Sequence, residues 1–412
     1  MKDKIRKNNK SPLEKSPKSE KRAVENSRKK SPKILLISGI LGFLGGIACI
    51  VAAFLLPQTT GFEASFPEIP SKKTGEEVYS NLTGLKLGSA EELKAPAYCI
   101  QTPNGTDGAR PQVGLNQAGV VFEAIAESGI TRFAAIYQNP TSAVIGPIRS
   151  LRMYYLEWDT PFDCTIVHAG GAPDAIAAVS SGKYKDLTEN YSYMYRGNAG
   201  ARRWNNLFTT SALLAKMSAD RGYSGSDIKG FTRMTPDDAL RARVDGLVEE
   251  KLDIVKASTG KTNNLTAGIA SIGVNFGGLA NFNVRYNYNP ENNTYPRSYA
   301  SGMAHEIYEC PEEDLGEKNP ESVCHITQLA PSVVAVMVVS EKRASDNYHE
   351  DITVLGSGEA YVFQNGTATK GTWKKDSDAE QIKFYDEGGM EIALVPGQTF
   401  VEAIPQYGSV EY

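Results

Sequence analysis

The apolar positions of this chain fall into two kinds of pattern. The first is one unbroken run, Ile34 to Leu56 ("ILLISGILGFLGGIACIVAAFLL"), which carries no charge. A helix rises about 1.5 Å per residue, so this run reaches across a hydrocarbon core of about 30 Å and predicts a transmembrane helix over 34–56. The second kind is short. "PAYCI", "GVVFEAIAE", "TRFAAIYQ" and "CTIVHA" are brief apolar runs, rich in β-branched and aromatic residues and bounded by turn signals, which predict strands. Between the last two, Leu151, Tyr154, Tyr155 and Trp158 recur at helical spacing, with Arg149 and Arg152 directed away from that stripe. After Gly170 and Gly171, "APDAIAAV" places Pro173 for a first helical turn. "TPDDALRARVDGLVEEKL" predicts a further helix, with Thr235 as N-cap and Asp238 completing a capping box.

Beyond about residue 265 the texture becomes that of strands alone. "FNVRYNYNPENNTYPRSY" reads as a hairpin, "PSVVAVMVVS" as a buried strand, and "GEAYVFQNGTATKGTWKK" holds Asn365-Gly366 between two alternating runs, a strong hairpin signal. "IKFYDEGGMEIALVPGQTFVEAI" continues the pattern. The fold class predicted is α+β: a mixed α/β part over 95–250, then a mostly antiparallel, β-rich part over 265–412. Residues 57–94, rich in Pro, Gly, Ser, Lys and Glu without a sustained period, read as an extracytoplasmic linker.

Charge adds an orientation to this plan. Residues 1–33 carry thirteen Lys/Arg against four Asp/Glu, and the rest of the chain thirty-one against forty-four, so a tail near +9 precedes a remainder near −13. Such a tail buries too little apolar surface to order itself and is predicted to be disordered. Its position predicts a cytoplasmic N-terminus and an extracytoplasmic C-terminal region, by the positive-inside rule. A cleaved signal peptide is the rival reading; its apolar core is shorter, and a small-residue cleavage site would have to follow where "PQTTGFEASF" stands. Gly42 and Gly46 form a G-x-x-x-G that lets two such helices approach. The tail lacks interleaved aromatic residues and any folded recognition element, so attraction to anionic lipid headgroups accounts for it better than nucleic acid does.

Cys49 falls in the apolar run, whereas Cys99, Cys164, Cys310 and Cys324 all fall on the outer side, where disulfides persist. The favoured pairing joins Cys310 to Cys324, which bracket a polar loop, and Cys99 to Cys164, each in a predicted strand. The second bridge needs those strands to be neighbours, and the alternative is two buried thiols.

The candidate chemistry centres on "IVHAGGAPDA". Its His-Ala-Gly-Gly run is like an oxyanion loop, but no G-x-S-x-G elbow accompanies it, so a serine hydrolase of that type is excluded. The predicted strand, glycine turn and helix start instead suggest an anion site at residues 170–174, with Arg149, Arg152 and His168 adding charge-assisted hydrogen bonds and Asp174 in the first turn. In the alternative, the arginines pair with Glu123, Glu127 or Asp163, and His168 donates to a backbone carbonyl. His305, Glu306 and Glu309 resemble half of H-E-x-x-H, but Glu309 stands where the second histidine belongs. Cys310, Cys324 and His325 could gather a metal only if the cysteines were reduced. No metal and no cofactor is therefore expected.

"ARPQVGLNQAGVVFEAIAESGITRFAAIYQ", "IGPIRSLRMYYLEWDTPFDCTIVHAGGAPDA", "GSGEAYVFQNGTATKGTWKK" and "FYDEGGMEIALVPGQTFVEAIP" together resemble the YerB-like family of bacterial envelope proteins, which carry a two-part domain of unknown function. The resemblance runs over roughly residues 95–410, interrupted near 195–265, and implies a location on the outer face of the membrane more than a mechanism. The family's blocks carry Arg110, Glu123, Arg132, Arg149, Arg152, His168, Gly170, Gly171 and, in the second part, His305. Two features depart from it. Many members are lipoproteins, whereas Gly46-Ile47-Ala48 before Cys49 is unlike a lipobox, and Asn205 stands where a histidine is expected.

These readings predict a single-pass membrane protein whose ectodomain is a binding or assembly module, with an anionic cell-wall component or another envelope protein as partner. The ligand-binding set is Arg110, Glu123, Arg132, Arg149, Arg152, His168, Gly170, Gly171 and Asp174, with no catalytic residue assigned. The alternatives are an enzyme acting on envelope polymers, with His168 or Glu123 as acid or base, and a structural scaffold.

Overall fold

Strands from both halves of the chain lie in one sheet. The computed structural model describes residues 77–197, 205–243, 271–311 and 324–412, so the predicted tail and membrane span lie outside the described residues. Among the described residues, no helix is long and apolar enough to cross a membrane.

In chain order the elements that matter are β1 (Ala97–Pro103), β2 (Val120–Glu127), β3 (Ile130–Gln138), α1 (Met153–Asp159), β4 (Thr165–His168), α2 (Pro173–Val179), β5 (Asp186–Thr188) and α3 (Ser211–Arg221). They are followed by β6 (Ser271–Asn275), β7 (Val284–Asn287), β8 (Arg297–Tyr299), β9 (Val333–Val339), β10 (Gly356–Gln364), β11 (Thr367–Lys375), β12 (Lys383–Asp386), β13 (Thr399–Pro405) and β14 (Ser409–Glu411). Ten strands form the main sheet in the order β12-β11-β10-β9-β13-β2-β3-β1-β4-β5. A second sheet runs β8-β7-β6-β14, and a small one joins Gln112–Val113 to Glu306–Glu309 and His325–Gln328.

The expected class is met as a mixed, mostly β fold with sheets from both halves. The C-terminal part is less antiparallel than expected, because β13 pairs in parallel with both β9 and β2, Thr399 opposite Val333 and Val120. The burial explains this: all seven residues of β13 are buried, as are the eight of β2, and such strands suit the covered centre of a sheet. Asn365 (φ 55°) and Gly366 (φ 72°) both take the left-handed conformation that a two-residue hairpin turn requires, and β10 and β11 pair across them.

One face of the main sheet packs Leu151, Tyr154, Tyr155 and Trp158 against Val120, Phe122 and Ala134. The helix itself starts only at Met153; Leu151 instead bridges Gly171. Trp158 stacks on Phe122 with ring centroids 5.3 Å apart. The opposite face packs on the second sheet through Ile125, Val334 and Val336 against Ile272, Val284 and Tyr286. Residues 236–243 are helical, and Thr235 Oγ1 accepts from the Asp238 N–H at 3.2 Å, as its capping box requires. The end of the supposed linker is folded. Leu82 is only 2% exposed, and the Thr83 carbonyl accepts from the Gly397 N–H at 2.8 Å.

Both favoured disulfides are present. Cys99–Cys164 ties the parallel neighbours β1 and β4 with Cα atoms 5.7 Å apart, and Cys310–Cys324 spans 4.2 Å.

Candidate functional site

A β-bulge separates two acidic residues of one strand. Register along β2 and β3 is regular from Val120 to Ile125 and then shifts before Glu127. Regular alternation would leave Glu123 and Glu127 on one face; the extra residue turns Glu127 to the face that carries Arg132. There Arg132 Nη2 and Arg152 Nη2 each donate to one Glu127 oxygen, at 2.6 and 2.5 Å, and all three side chains are largely buried. Arg132 Nη1 and Arg152 Nη1 also donate to the Ser150 and Leu151 carbonyls. Burial, then the neighbouring Arg152, lowers Arg132 to about 10. Burial opposes ionisation of Glu127 as well, but the two arginines outweigh it and hold the carboxyl below its usual range. The Nε atoms of both arginines are buried without a hydrogen-bond partner.

Arg149 completes this group. It is partly exposed, and its guanidinium makes no hydrogen bond or ion pair with the described residues. Burial lowers its pKa, Glu127 raises it and Arg152 lowers it; Asp107 and Tyr348 act on it from the surface. Three guanidinium groups thus adjoin a single hydrogen-bonded carboxylate, and Arg149 is the one that solvent reaches.

His168 does not join them. Its Nδ1 donates to the Gly170 carbonyl at 2.7 Å and its Nε2 pairs with Asp186 at 2.8 Å, with the side chain 1% exposed. Gly170 (φ 68°) and Gly171 form the turn, and Leu151 N donates to the Gly170 carbonyl. At the supposed anion position, 170–174, the following helix α2 is only seven residues long, the Ala172 N–H donates to the Leu151 carbonyl, and the Asp174 carboxylate accepts from the Ala175 N–H. Arg152 does not point away into solvent but is 3% exposed. Its pairing with Glu127, and the His168 contact with a backbone carbonyl, are the alternative set out above.

Glu123 and Arg110 belong to a different cluster, on the other face. Arg297 Nη2 donates to Glu123, its Nη1 donates to His305 Nδ1, and its Nε donates to the Tyr286 hydroxyl at 3.1 Å. Tyr286 in turn donates to Glu402, which lies opposite Glu123 in the β13–β2 register. His305 Nε2 therefore carries the proton and donates to Gln112 Oε1 at 2.9 Å. Burial, then Arg297, pushes the His305 pKa well down, and burial, then Glu123, pushes Glu402 well up. Arg110 donates to Asn104 at 2.9 Å and lies 3.8 Å over the Tyr299 ring. Glu123, Arg297, His305 and Glu402 are all 0% exposed, so this network braces the fold rather than meeting a ligand.

Comparison with known proteins fits this two-part construction. Residues 82–224 match the N-terminal domain, and residues 272–401 the C-terminal domain, of the family described as protein of unknown function DUF3048. The chain is a DUF3048 protein. It is 24% identical over 335 residues to the "Putative lipoprotein YerB" of Bacillus subtilis (strain 168), covering 81% of this chain and 88% of that one. The crystal structure of YerB protein from Bacillus subtilis is similar with a TM-score of 0.62 at 22% identity, covering 82% of this chain and all of the other.

In this DUF3048 protein the buried network is the seam between the two matched domains. Asn104, Arg110, Gln112 and Glu123 come from the first, Tyr286, Arg297 and His305 from the second, and Glu402 stands directly after the second match ends. Sequence reasoning missed Arg297, Tyr286 and Glu402. A signal was there for the acids: "VVFEAIAE" and "TFVEAIP" each place one glutamate inside an apolar strand, where it needs a buried partner. Asn205, at the position expected to hold histidine, donates to Asp107 at 2.9 Å and so fixes the loop beside Arg149. Among the described residues, no group of three or more His, Cys, Asp or Glu is arranged to hold a metal ion.

Proposed function

We propose that this DUF3048 protein is an envelope protein anchored by residues 34–56, with its folded region outside the membrane, and that this region binds an anionic envelope polymer at Arg149. The observation that carries the binding claim is the charge imbalance at Glu127. Arg132 and Arg152 consume both carboxylate oxygens, which leaves the half-buried Arg149 as a positive group without a hydrogen-bonded counter-charge among the described residues. A guanidinium in that state gains most from a carboxylate or phosphate supplied by another molecule. The exposed Tyr348 beside it offers an amphipathic surface.

Two disulfides support an oxidising compartment, and the name of the Bacillus relative supports association with a membrane. The uncharged run without a lipobox supports a protein anchor in place of an acyl one. Acid–base chemistry has less to stand on, because His168 and Glu123 are both fully buried and paired.

Cosedimentation of the purified chain with insoluble cell-wall material tests the binding. Wild-type protein is expected in the pellet, and both Arg149→Ala and prior removal of the anionic polymer from the wall are expected to leave it in solution. Equal pelleting of Arg149→Ala contradicts the assignment.

A further inference from the structure

A second arginine, far from Glu127 in the sequence, has no acidic partner among the described residues. Arg233 follows Phe231, whose ring lies 5.9 Å from its guanidinium carbon. Its Nη1 donates to the Val395 carbonyl at 3.1 Å and to Thr399 Oγ1 at 2.9 Å, and its Nη2 donates to the Leu82 carbonyl at 2.8 Å. These contacts brace residues 80–84 against the strand that leads into β13, so Arg233 has a structural task. They do not exhaust it. A guanidinium carries five N–H donors, and the two left over belong to Nε and Nη2. Nε has no hydrogen-bond partner. Burial lowers the Arg233 pKa to about 10, and no carboxylate of the described residues acts on it.

Beside this side chain lies a cleft of about 380 Å³, lined among others by Tyr79, Ser80, Asn81, Phe231 and Met234. Ser80 Oγ accepts from the Leu82 and Thr83 N–H groups, which leaves its own proton for an acceptor. The Asn81 side chain is exposed and makes no hydrogen bond with the described residues. Of the nearby carboxylates, Glu77 pairs with Lys86 at 2.5 Å and Asp238 accepts from Thr235 at 2.8 Å, while the exposed Asp237 acts on Tyr79 at the rim. A buried cation with spare donors beside a cleft, and with no counter-charge of its own, matches an oxyanion on a small ligand.

We infer that the cleft between residues 79–84 and 228–235 binds a small carboxylate or phosphate monoester, held by Arg233 and Ser80, at a site separate from Arg149. Asn81→Asp places a carboxylate at the cleft, so it competes with the ligand from within while keeping every contact of Arg233. Met234→Trp fills the cleft by bulk.

The test is a calorimetric titration of the full-length chain in detergent with acetate and, separately, inorganic phosphate, at low chloride. One saturable site is expected for at least one of the two, at least about tenfold weaker in both Asn81→Asp and Met234→Trp, with unchanged circular dichroism. Arg149→Ala is expected to leave it intact, which separates this site from the polymer-binding reading. Binding by acetate alone selects the carboxylate, and binding by phosphate alone the phosphate monoester. No saturable binding of either anion by wild-type protein, or binding undiminished in Asn81→Asp and Met234→Trp, overturns the inference.

Discussion

Glu127 carries more than any other single side chain here. It is the shared counter-ion of two buried guanidinium groups, with side-chain exposure of 3% for Arg132 and 4% for Arg152. Removing a partner from a buried ion pair strands the other charge and costs about 3–5 kcal/mol, whereas replacing the whole group by apolar residues is often neutral. Glu127→Gln is therefore expected to lower the denaturant unfolding free energy by about 3–5 kcal/mol, and Glu127→Leu combined with Arg132→Met and Arg152→Met by much less. Equal losses in the two variants would show that the pairing contributes nothing specific. The direction with pH follows from the lowered carboxyl: the stabilisation is complete above the unfolded glutamate range and fades as pH falls through it. This residue was legible in the sequence only as one of three possible partners for the arginines. Which of Glu123, Glu127 and Asp163 would be used depended on a one-residue bulge, which no local pattern announces.

Among the elements, strands were easier to read than their neighbours. The runs "PAYCI", "VVFEAIAE", "TRFAAIYQ", "TIVH", "VVAVMVV" and "TFVEAI" all became strands, because burial on both faces leaves few alternatives for short β-branched segments, whereas "IALV" did not. Parallel pairing of β13 with β2 joins residues nearly 280 positions apart in the chain, and periodicity carries no information about such partners. Helix α1 shows the same limit. Its buried stripe was visible, but Glu157 on the same helix was not marked as special. Burial, then Asp378 and Asp351, raises Glu157 to about 7, while Lys375 at the end of β11 is lowered to about 8 by its own burial. A carboxyl raised in the folded state destabilises it increasingly as pH climbs from the unfolded value to the folded one, and fully above both. Thermal unfolding should therefore show Glu157→Gln matching wild type near pH 4 and exceeding it at pH 8. A wild-type protein as stable as the variant at pH 8 would remove the cost assigned to this position.

At the scale of the molecule, the two family domains share one sheet, in which β13 of the second pairs with β2 of the first, and a charged cluster lies at that seam. Glu123 and Glu402 face one another with Arg297 between them, and burial, then the neighbouring Glu123, pushes the Glu402 carboxyl well above its usual range. Arg149 lies away from that cluster, without a hydrogen-bonded partner among the described residues. The predicted anchor, the disulfides and the unpaired Arg149 form one account: a braced extracytoplasmic module that presents a cation to an anionic polymer. Its most direct test is an equilibrium titration of the full-length chain with a soluble anionic wall polymer at low and high salt, using Arg285→Ala, on the second sheet, as the control. The account predicts binding that weakens with salt, persists in Arg285→Ala and falls at least about tenfold in Arg149→Ala. Salt-insensitive binding, or equal affinity for wild type and Arg149→Ala, would contradict it.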